Sequence, residues 1–399
     1  MSFADIIGQQ AVKKQLVELV QHNRLSHALL FLGKEGCGAL PLALAFAQYV
    51  VCEKANPRPA AAGPSLFGEE IPAEKIAAAD ACGVCPACLK AQQLVHPDIH
   101  YSYPTVTKKP GEKPIATDFI TEWREFIKRN PYGNLFDWIE MIKEKENSQG
   151  KITARECDEI IKKLSLKSFE SEYKVLVMWM PEEMDKEGNK LLKIIEEPPA
   201  NTLFILVTEN EELVLPTIVS RCQLIKVPAL DTAEIAEALQ TRNHTDAAIA
   251  RQVAGLSEGN YREALQLVQH ADEDWLVQVR EWLNALMKGG PKAEVGWVEE
   301  MSRMGREKQK QFLRYFIHLI QQAIHYRLLG EQALIGDKEK EFAVKLNKYT
   351  GIEQQQAISE ELDKASYFIE RNAHGKILFH ALTLKLKHII QDKIVFLMN

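Results

Sequence analysis

A glycine-rich loop at residues 33–40 directly follows an apolar segment, and this pairing constrains the fold more than any other feature of the chain. Gly33, Gly36 and Gly38 have the spacing of a phosphate-binding loop, whose pattern is G-x-x-x-x-G-K-[ST]. The apolar run at 28–32 suits a buried strand, and a loop of this type leads from a strand into a helix. We therefore predict an α/β fold with a P-loop NTPase-like parallel sheet.

The same loop lacks the side chains that carry its chemistry. Ala39 stands where the pattern has the lysine that reaches the β- and γ-phosphates, and Leu40 stands where it has the hydroxyl that holds Mg²⁺. The backbone N–H groups of such a loop could still contact a phosphate. Without the ammonium and the hydroxyl, hydrolysis should be slow and ATP binding is doubtful. The sequence indicates an NTPase fold that is used for something other than its own catalysis.

Composition places the chain among ordinary globular proteins. Its 399 residues suffice for two or three domains. The formal net charge of −6 argues against a generally basic DNA-binding protein, although it leaves room for a local basic patch. No signal-peptide pattern and no continuous apolar run of membrane-spanning length are present, so we expect a cytoplasmic protein with no membrane partner.

Four of the seven cysteines indicate a metal site. Cys82, Cys85 and Cys88 form C-x-x-C-x-x-C, and Cys52 lies 30 residues upstream of the first of them. In a cytosolic chain this spacing favours metal binding over disulfides. Four thiolates build a tetrahedral zinc site with no open position, which predicts a structural Zn²⁺. An iron–sulfur cluster is the alternative ligand for four cysteines, and His96 could replace one of them.

The pattern of apolar residues changes along the chain. Further runs at 173–180 and 203–208 have strand length and are separated by helical patterns. After residue 228 the sequence shows helical periodicity without a convincing strand. We predict a core at 1–228 that contains a zinc module (52–88) and insertions, a small helical domain at 229–285, and a larger helical domain at 286–399.

Several short motifs occur in a specific order. They are IIGQ at 6–9, RLSHALLF at 24–31, HPD at 96–98, LLKIIEEPP at 191–199, SRC at 220–222 and RNAHGKIL at 371–378. With the glycine loop and the cysteine cluster, they resemble the bacterial clamp-loader subunits of the AAA+ superfamily, the γ/τ and δ′ subunits of DNA polymerase III. The resemblance covers most of the chain. It implies an AAA+ core, a helical lid and an all-α collar that holds five subunits together.

The resemblance also implies roles for three polar residues and one neighbour. In this family the arginine of the SRC triplet, here Arg221 beside Ser220, faces the ATP of a neighbouring subunit. It stabilises charge that develops on the γ-phosphate, as an arginine finger supplied in trans. Thr208 matches the sensor-1 position. Arg262 matches the sensor-2 position, where it either contacts nucleotide or pairs the lid with the core.

Active members of this family carry an acidic pair at the end of a second strand, and this chain lacks it. Trp179 and Met180 align with that pair. Glu182 and Glu183 follow beyond Pro181, and we expect them to be solvated carboxylates on a loop. Loss of both the loop lysine and the acidic pair implies a δ′-type subunit that does not turn over ATP.

The implied function is that of a stator. It would work with γ/τ and δ subunits in a heteropentamer that places the sliding clamp on primer–template DNA during replication. Two alternatives remain at this stage, an ATP-binding γ/τ-type subunit and a zinc-binding scaffold outside replication.

Overall fold

The computed structural model describes residues 1–56, 78–107, 111, 113–143, 148–184, 186–269, 275–330, 337–370 and 373–392. Arg371 and Asn372 of the RNAHGKIL motif, and residues 57–77 of the predicted zinc module, lie outside the described residues. The chain divides into two compact units, Met1–Gln266 and Leu267–Asn399. The three-domain boundaries at 228 and 285 stay a prediction. None of the helices in the described ranges is long and apolar enough to cross a membrane.

The first unit is built around a five-stranded sheet with the order β2-β3-β4-β1-β5. Its strands are β1 (Ala28–Leu32), β2 (Ile99–Ser102), β3 (Lys174–Trp179), β4 (Thr202–Thr208) and β5 (Gln223–Lys226). Every neighbouring pair is parallel. In the centre, Leu30 of β1 lies opposite Leu206 of β4 and Leu224 of β5. The predicted α/β fold with a P-loop NTPase-like parallel sheet is confirmed.

Helices cover both faces of this sheet. They are α1 (Gln10–Gln21), α2 (Ala39–Val51), α3 (Pro86–Gln92), α4 (Ile120–Arg129), α5 (Leu135–Ile142), α6 (Ala154–Ser165), α7 (Leu192–Glu196) and α8 (Pro216–Val219). Three more helices follow β5 along the chain: α9 (Thr232–Asn243), α10 (Ala247–Leu256) and α11 (Tyr261–Gln269). Leu29 and Phe31 of β1 pack in the cluster that contains α1 to α5, whereas Ala28 and Leu30 pack in the cluster that contains α6 to α8. Because both faces are covered, β3 and β4 are buried along their whole length, as is typical of parallel sheets.

The second unit is helical in its described residues. Its α-helices are α12 (Trp275–Asn284), α13 (Gly290–Arg303), α14 (Arg306–Leu329), α15 (Asp337–Tyr349), α16 (Ile352–Glu370) and α17 (Gly375–Gln391). Its core contains a cluster of aromatic side chains, in which the rings of Trp282 and Trp297 stack 4.5 Å apart. The indole of Trp282 donates a hydrogen bond to the hydroxyl of Thr383 at 3.2 Å. The predicted change to an all-helical C-terminal region is confirmed.

Candidate functional site

The glycine loop joins β1 to α2, and its backbone requires glycine at two positions. Gly36 has φ +70° and Gly38 has φ +90°, conformations that other residues adopt only with strain. A Cβ atom at Gly36 would lie 1.8 Å from Oδ1 of Asn260, and one at Gly38 would lie 2.9 Å from the ring of Tyr132. The turn and its close neighbours therefore account for these glycines, whether or not a phosphate binds there.

The residues at the catalytic positions of the loop have a structural role, because they are part of the hydrophobic core. Ala39 and Leu40 begin α2, a helix in which all thirteen residues are buried, and both lie in the hydrophobic core. Thr208 ends β4, and its hydroxyl exchanges hydrogen bonds of 3.2 Å with the backbone of Asn210. The loop region thus offers neither an ammonium group nor a free hydroxyl at the positions where nucleotide chemistry needs them.

Little space remains in front of the loop. The cavity there has a volume of about 30 Å³ and is lined in part by Tyr132, Trp179 and Thr208. Such a volume holds one or two water molecules, whereas pockets for small ligands measure roughly 300–1,000 Å³. The hydroxyl of Tyr132 accepts a hydrogen bond from the amide of Ile7 at 2.9 Å, and its ring packs edge-on against Tyr261. These contacts fix Tyr132 at the edge of the space in front of the loop.

The positions that align with the acidic pair are apolar and buried. Trp179 ends β3, with its ring centroid 5.5 Å from that of Trp123 and 5.8 Å from that of Phe126. Met180 follows in a left-handed conformation with φ +56° and is also buried. Both side chains belong to the core. Neither can ligate Mg²⁺ or orient a water molecule.

The prediction that the next two acidic residues are solvated is wrong for Glu182. After β3 the chain turns through a short 3₁₀ helix, Pro181–Glu183, which places Glu182 against the end of β4. Its Oε1 accepts a hydrogen bond from the amide of Glu209 at 3.1 Å, and its Oε2 is buried with no hydrogen-bond partner among the described residues. Burial raises the pKa of Glu182 above its ordinary value. Glu183 forms an ion pair with Lys151 at 3.1 Å.

Arg262 is held by two carboxylates of the chain itself. It lies in the first turn of α11 and is 3% exposed. Its Nε and one terminal nitrogen donate to the two oxygens of Asp137 at 2.5 and 2.6 Å, and the other terminal nitrogen donates to Oε1 of Glu35 at 3.1 Å. This geometry corresponds to the predicted alternative in which Arg262 pairs the lid with the core. Its role stays a prediction.

Two asparagines complete this polar network. The side-chain amide of Asn260 donates to Oε1 of Glu35 at 3.2 Å, and that of Asn134 donates to Oε2 at 3.0 Å. Asn134 also caps α5, because its Oδ1 accepts a hydrogen bond from the amide of Asp137 at 2.9 Å. The sequence analysis missed this network. The cap of α5 is visible in the sequence, but its connection to Arg262, 125 residues away, has no local signal.

Arg221 lies at the surface just after α8. Its Nε donates to Oε1 of Glu196 at 2.5 Å, and one terminal nitrogen donates to the carbonyl of Thr217 at 2.7 Å and to Oγ of Ser220 at 3.2 Å. The other terminal nitrogen is also close to Glu196. The side chain of Arg221 is 34% exposed and that of Glu196 is 45% exposed. Such exposed pairs contribute little to stability, about 0–1 kcal/mol.

The structure brings the four predicted metal ligands together. Cys52 follows α2, Cys85 caps α3 and Cys88 lies within α3. Their sulfur atoms and that of Cys82 all lie within 4.8 Å of one another, and the sulfurs of Cys82 and Cys88 are 3.9 Å apart. A tetrahedral zinc site with Zn–S bonds of about 2.3 Å has sulfur–sulfur distances of roughly 3.8 Å. The donor set therefore fits a zinc ion.

Hydrogen bonds to sulfur favour a thiolate at this cluster. The thiol of Cys88 and the amide of Cys82 both donate to the sulfur of Cys52, which lowers the pKa of Cys52 and raises that of Cys88. Thiolates are the form of cysteine that binds metals. His96, the alternative ligand, is not part of the group, and its Nδ1 accepts a hydrogen bond from the amide of Asp98 at 3.1 Å.

Comparison with known proteins places the chain in a family. A family model described as DNA polymerase III, delta subunit, matches residues 8–231. The DNA polymerase III subunit delta′ of Bacillus subtilis (strain 168) is 26% identical over 260 residues, which cover 65% of this chain and 59% of that protein. The subunit tau/gamma of Haemophilus influenzae is 24% identical over 277 residues, which cover 68% of this chain and 31% of that protein. The matched region thus spans less than two thirds of either relative.

One solved structure aligns with most of the chain. It is a DNA polymerase III gamma subunit-related protein from Thermotoga maritima, with 15% identity, a TM-score of 0.38, and coverage of 94% of this chain and 99% of that one. The family model alone matches more than half of this chain. The chain therefore belongs to the clamp-loader family that this model describes, the DNA polymerase III delta subunits.

Proposed function

We propose that this chain is a δ′-type, non-hydrolysing subunit of a DNA polymerase III clamp loader. In this role it would use Arg221 in trans on ATP that a neighbouring γ/τ-type subunit binds. One observation carries the proposal. Tyr132 and the apolar Trp179 both border the small space at the glycine loop, whereas Arg221 lies at the surface.

Three features of the loop and its surroundings support the absence of ATP turnover. The lysine and the hydroxyl of a working loop are replaced by Ala39 and Leu40. The sensor-2 arginine, Arg262, is occupied by Asp137 and Glu35. Glu35 itself belongs to the loop, so its carboxylate would repel the phosphates that a loop of this type usually binds. Together these features favour a glycine loop that has the backbone conformation of a phosphate-binding loop but does not hydrolyse ATP.

The position of Arg221 supports its use as an arginine finger. A guanidinium is always charged and offers several donors in one plane, which suits the oxygens of a γ-phosphate as negative charge develops on them. To reach a neighbour's ATP, Arg221 would leave Glu196. The two groups form an exposed pair, so this exchange costs about 1 kcal/mol or less. Ser220 would help to orient the guanidinium through its hydroxyl.

We further propose that Cys52, Cys82, Cys85 and Cys88 hold a structural zinc ion. Zinc would balance the charge of the thiolates and tie the end of α2 to α3 without redox chemistry. Metal analysis of the purified chain tests this, and one zinc per chain is the expected result. The visible absorption of an iron–sulfur cluster would contradict it.

The partners follow from the same proposal. The chain would assemble with γ/τ and δ subunits into a heteropentamer, with the helical region at 286–399 as the collar. The assembly would act on the sliding clamp and on primer–template DNA. Relatives named as delta′ and as tau/gamma subunits of DNA polymerase III support this set of partners.

The decisive experiment uses Arg221→Ala in a reconstituted clamp loader. ATP hydrolysis is measured with clamp and primed DNA present, and assembly is checked by size-exclusion chromatography. Turnover at the adjoining ATP site should fall about 10³-fold, the lower range for loss of an arginine finger. Arg221→Lys should restore little, because an ammonium lacks the planar set of donors. Arg251→Ala removes an exposed arginine of α10 and serves as the control.

Unchanged hydrolysis by an intact Arg221→Ala assembly would contradict the proposal. That result is what a zinc-binding scaffold outside replication would give. The other alternative, an ATP-binding γ/τ-type subunit, has support from the tau/gamma relative and needs a separate test. Titration of the isolated chain with labelled ATP should show no saturable binding, and a micromolar Kd would favour the γ/τ-type alternative.

A further inference from the structure

A second cavity lies along β2, at the edge of the sheet and away from the glycine loop. Its volume is about 180 Å³. Polar residues from several elements line it: His100 and Tyr101 of β2, Thr117 just before α4, Arg124 of α4 and Lys163 of α6. No acidic residue is among the described residues that line it. In the sheet, β3 and β4 separate β2 from β1, so this cavity is distinct from the site in front of the loop.

Among the described residues, no carboxylate forms a salt bridge with either of the two cations of this cavity. Nε of Arg124 donates to the carbonyl of Leu94 at 3.2 Å, and Nζ of Lys163 donates to the hydroxyl of Thr117 at 2.8 Å. The side chain of Arg124 is half-buried, whereas the contact of Lys163 with Thr117 is exposed to solvent. A half-buried charge such as that of Arg124 normally gains a counter-ion, because partial desolvation penalises the charged form. An anion from outside the chain would supply it.

His100 lies in the cavity with its pKa lowered mainly by burial. Burial, together with the positive charges of Lys163 and Lys174, lowers the pKa of His100 to about 4. Asp98 acts in the opposite direction and His96 in the same direction, both less strongly. At neutral pH the ring of His100 is therefore uncharged. A neutral imidazole still donates one hydrogen bond, from the nitrogen that carries the proton.

The carboxylates nearest to the cavity are already engaged elsewhere. Asp98 accepts hydrogen bonds of 2.5–2.8 Å from the backbone amides of residues 169–171. Glu156, whose charge acts on Lys163, accepts one from the amide of Ala116 at 2.8 Å. Glu159, whose charge also acts on Lys163, pairs with Lys162. None of these acidic residues lines the cavity. A cleft of one sign of charge in a chain of net charge −6 concentrates anions locally.

We propose that this cavity binds a phosphate group. Two cations and two neutral donors, His100 and Thr117, line it, since the side chain of Tyr101 lies on the opposite face of β2 from that of His100. A tetrahedral phosphate accepts hydrogen bonds from several directions at once. A planar carboxylate would be satisfied by the fork of Arg124 alone. The volume exceeds that of a bound water and accommodates a phosphate with part of the group that carries it. The source is either free phosphate or a phosphodiester of the DNA backbone.

The test follows His100 in the full chain by NMR, with isotope-labelled histidine and His100→Gln to assign its signals. Inorganic phosphate is added at constant ionic strength and pH 7. A saturable shift of the His100 signals is expected, and the pKa of His100 should rise because a bound anion stabilises the charged ring. Lys163→Gln and Arg124→Gln should each raise the Kd about tenfold, the usual effect of one charge-assisted hydrogen bond. Arg124→Lys should restore part of the affinity.

Lys162→Gln is the matched control, because Lys162 is exposed and pairs with Glu159 at 2.6 Å. It should leave the Kd unchanged. The proposal is overturned if His100 shows no saturable shift, if Lys162→Gln weakens binding as much as Lys163→Gln does, or if acetate binds as tightly as phosphate. Short primed DNA then identifies the source. Competition for the His100 signal assigns a backbone phosphodiester, and phosphate binding without competition assigns free phosphate.

Discussion

Arg262 and Arg221 lie in the same unit and both are predicted from the sequence to act on nucleotide, yet their surroundings differ. The side chain of Arg262 is 4% exposed and is shared between Asp137 and Glu35. The side chain of Arg221 is 34% exposed, and among the described residues Glu196 is the carboxylate with which it pairs. Removing one partner of a buried ion pair costs about 3–5 kcal/mol, whereas an exposed pair contributes about 0–1 kcal/mol. Arg262 thus stabilises the fold, whereas Arg221 can exchange partners at little cost.

The largest effect on stability should come from removing a carboxylate partner of the buried Arg262. Asp137→Ala would leave Arg262 buried with Glu35 as its remaining carboxylate. We expect the free energy of unfolding to fall by about 3 kcal/mol, the low end for an uncompensated buried charge. Urea unfolding followed by circular dichroism measures the change. Glu140→Ala is the control on the same helix, since Glu140 is exposed and pairs with Lys143.

A loss below 1 kcal/mol for Asp137→Ala would mean that Arg262 finds other partners. Arg262 would then be able to exchange partners, as Arg221 is. The ion pairs with Asp137 and Glu35 would no longer explain why Arg262 does not contact a nucleotide. A loss near 3 kcal/mol, with Glu140→Ala within about 0.5 kcal/mol of the native chain, would sharpen the contrast.

The second effect concerns the loop that Arg262 adjoins. Gly38→Ala places a side chain at φ +90° and against the ring of Tyr132, and should cost about 1–2 kcal/mol. Gly255→Ala lies within α10 with open space around it, and should instead stabilise the chain by about 0.5–1 kcal/mol. Both are measured by urea unfolding. Equal effects at the two positions would show that the backbone form of the loop does not explain its glycines.

The sequence predicts features that local pattern encodes and misses those that depend on distant contacts. β1, β3 and β4 are continuous apolar runs and were predicted. β2 and β5 were not, because each has four residues that include polar side chains at an edge of the sheet. Cys52 was predicted as a ligand from residue chemistry despite its distance from the triplet. The burial of Glu182 and the partners of Arg262 depend on contacts between segments that are distant in the sequence. The spacing of apolar residues contains no information about such contacts.

A third effect is a pH dependence at the end of β4. The pKa of Glu182 is raised by burial, so the folded state binds its proton more tightly than the unfolded state does. Stability therefore falls as pH rises from the ordinary value of 4.5 through the folded pKa, and the full cost is present above it. Glu182→Gln should stabilise the chain by about 1 kcal/mol at pH 7. Urea unfolding should show this gain vanish near pH 4, and a gain independent of pH would contradict the assignment.

The smallest effect on stability is expected for the exposed Arg221. Arg221→Ala should change the free energy of unfolding by about 0.5 kcal/mol or less, because its pair with Glu196 is exposed to solvent. Urea unfolding of the isolated chain measures this, with Glu196→Ala alongside. If Arg221→Ala costs more than 1 kcal/mol, the residue is part of the fold. A loss of ATP hydrolysis in the assembled complex would then reflect damage to this subunit. If the cost is small, the same loss must come from what Arg221 does to its neighbour.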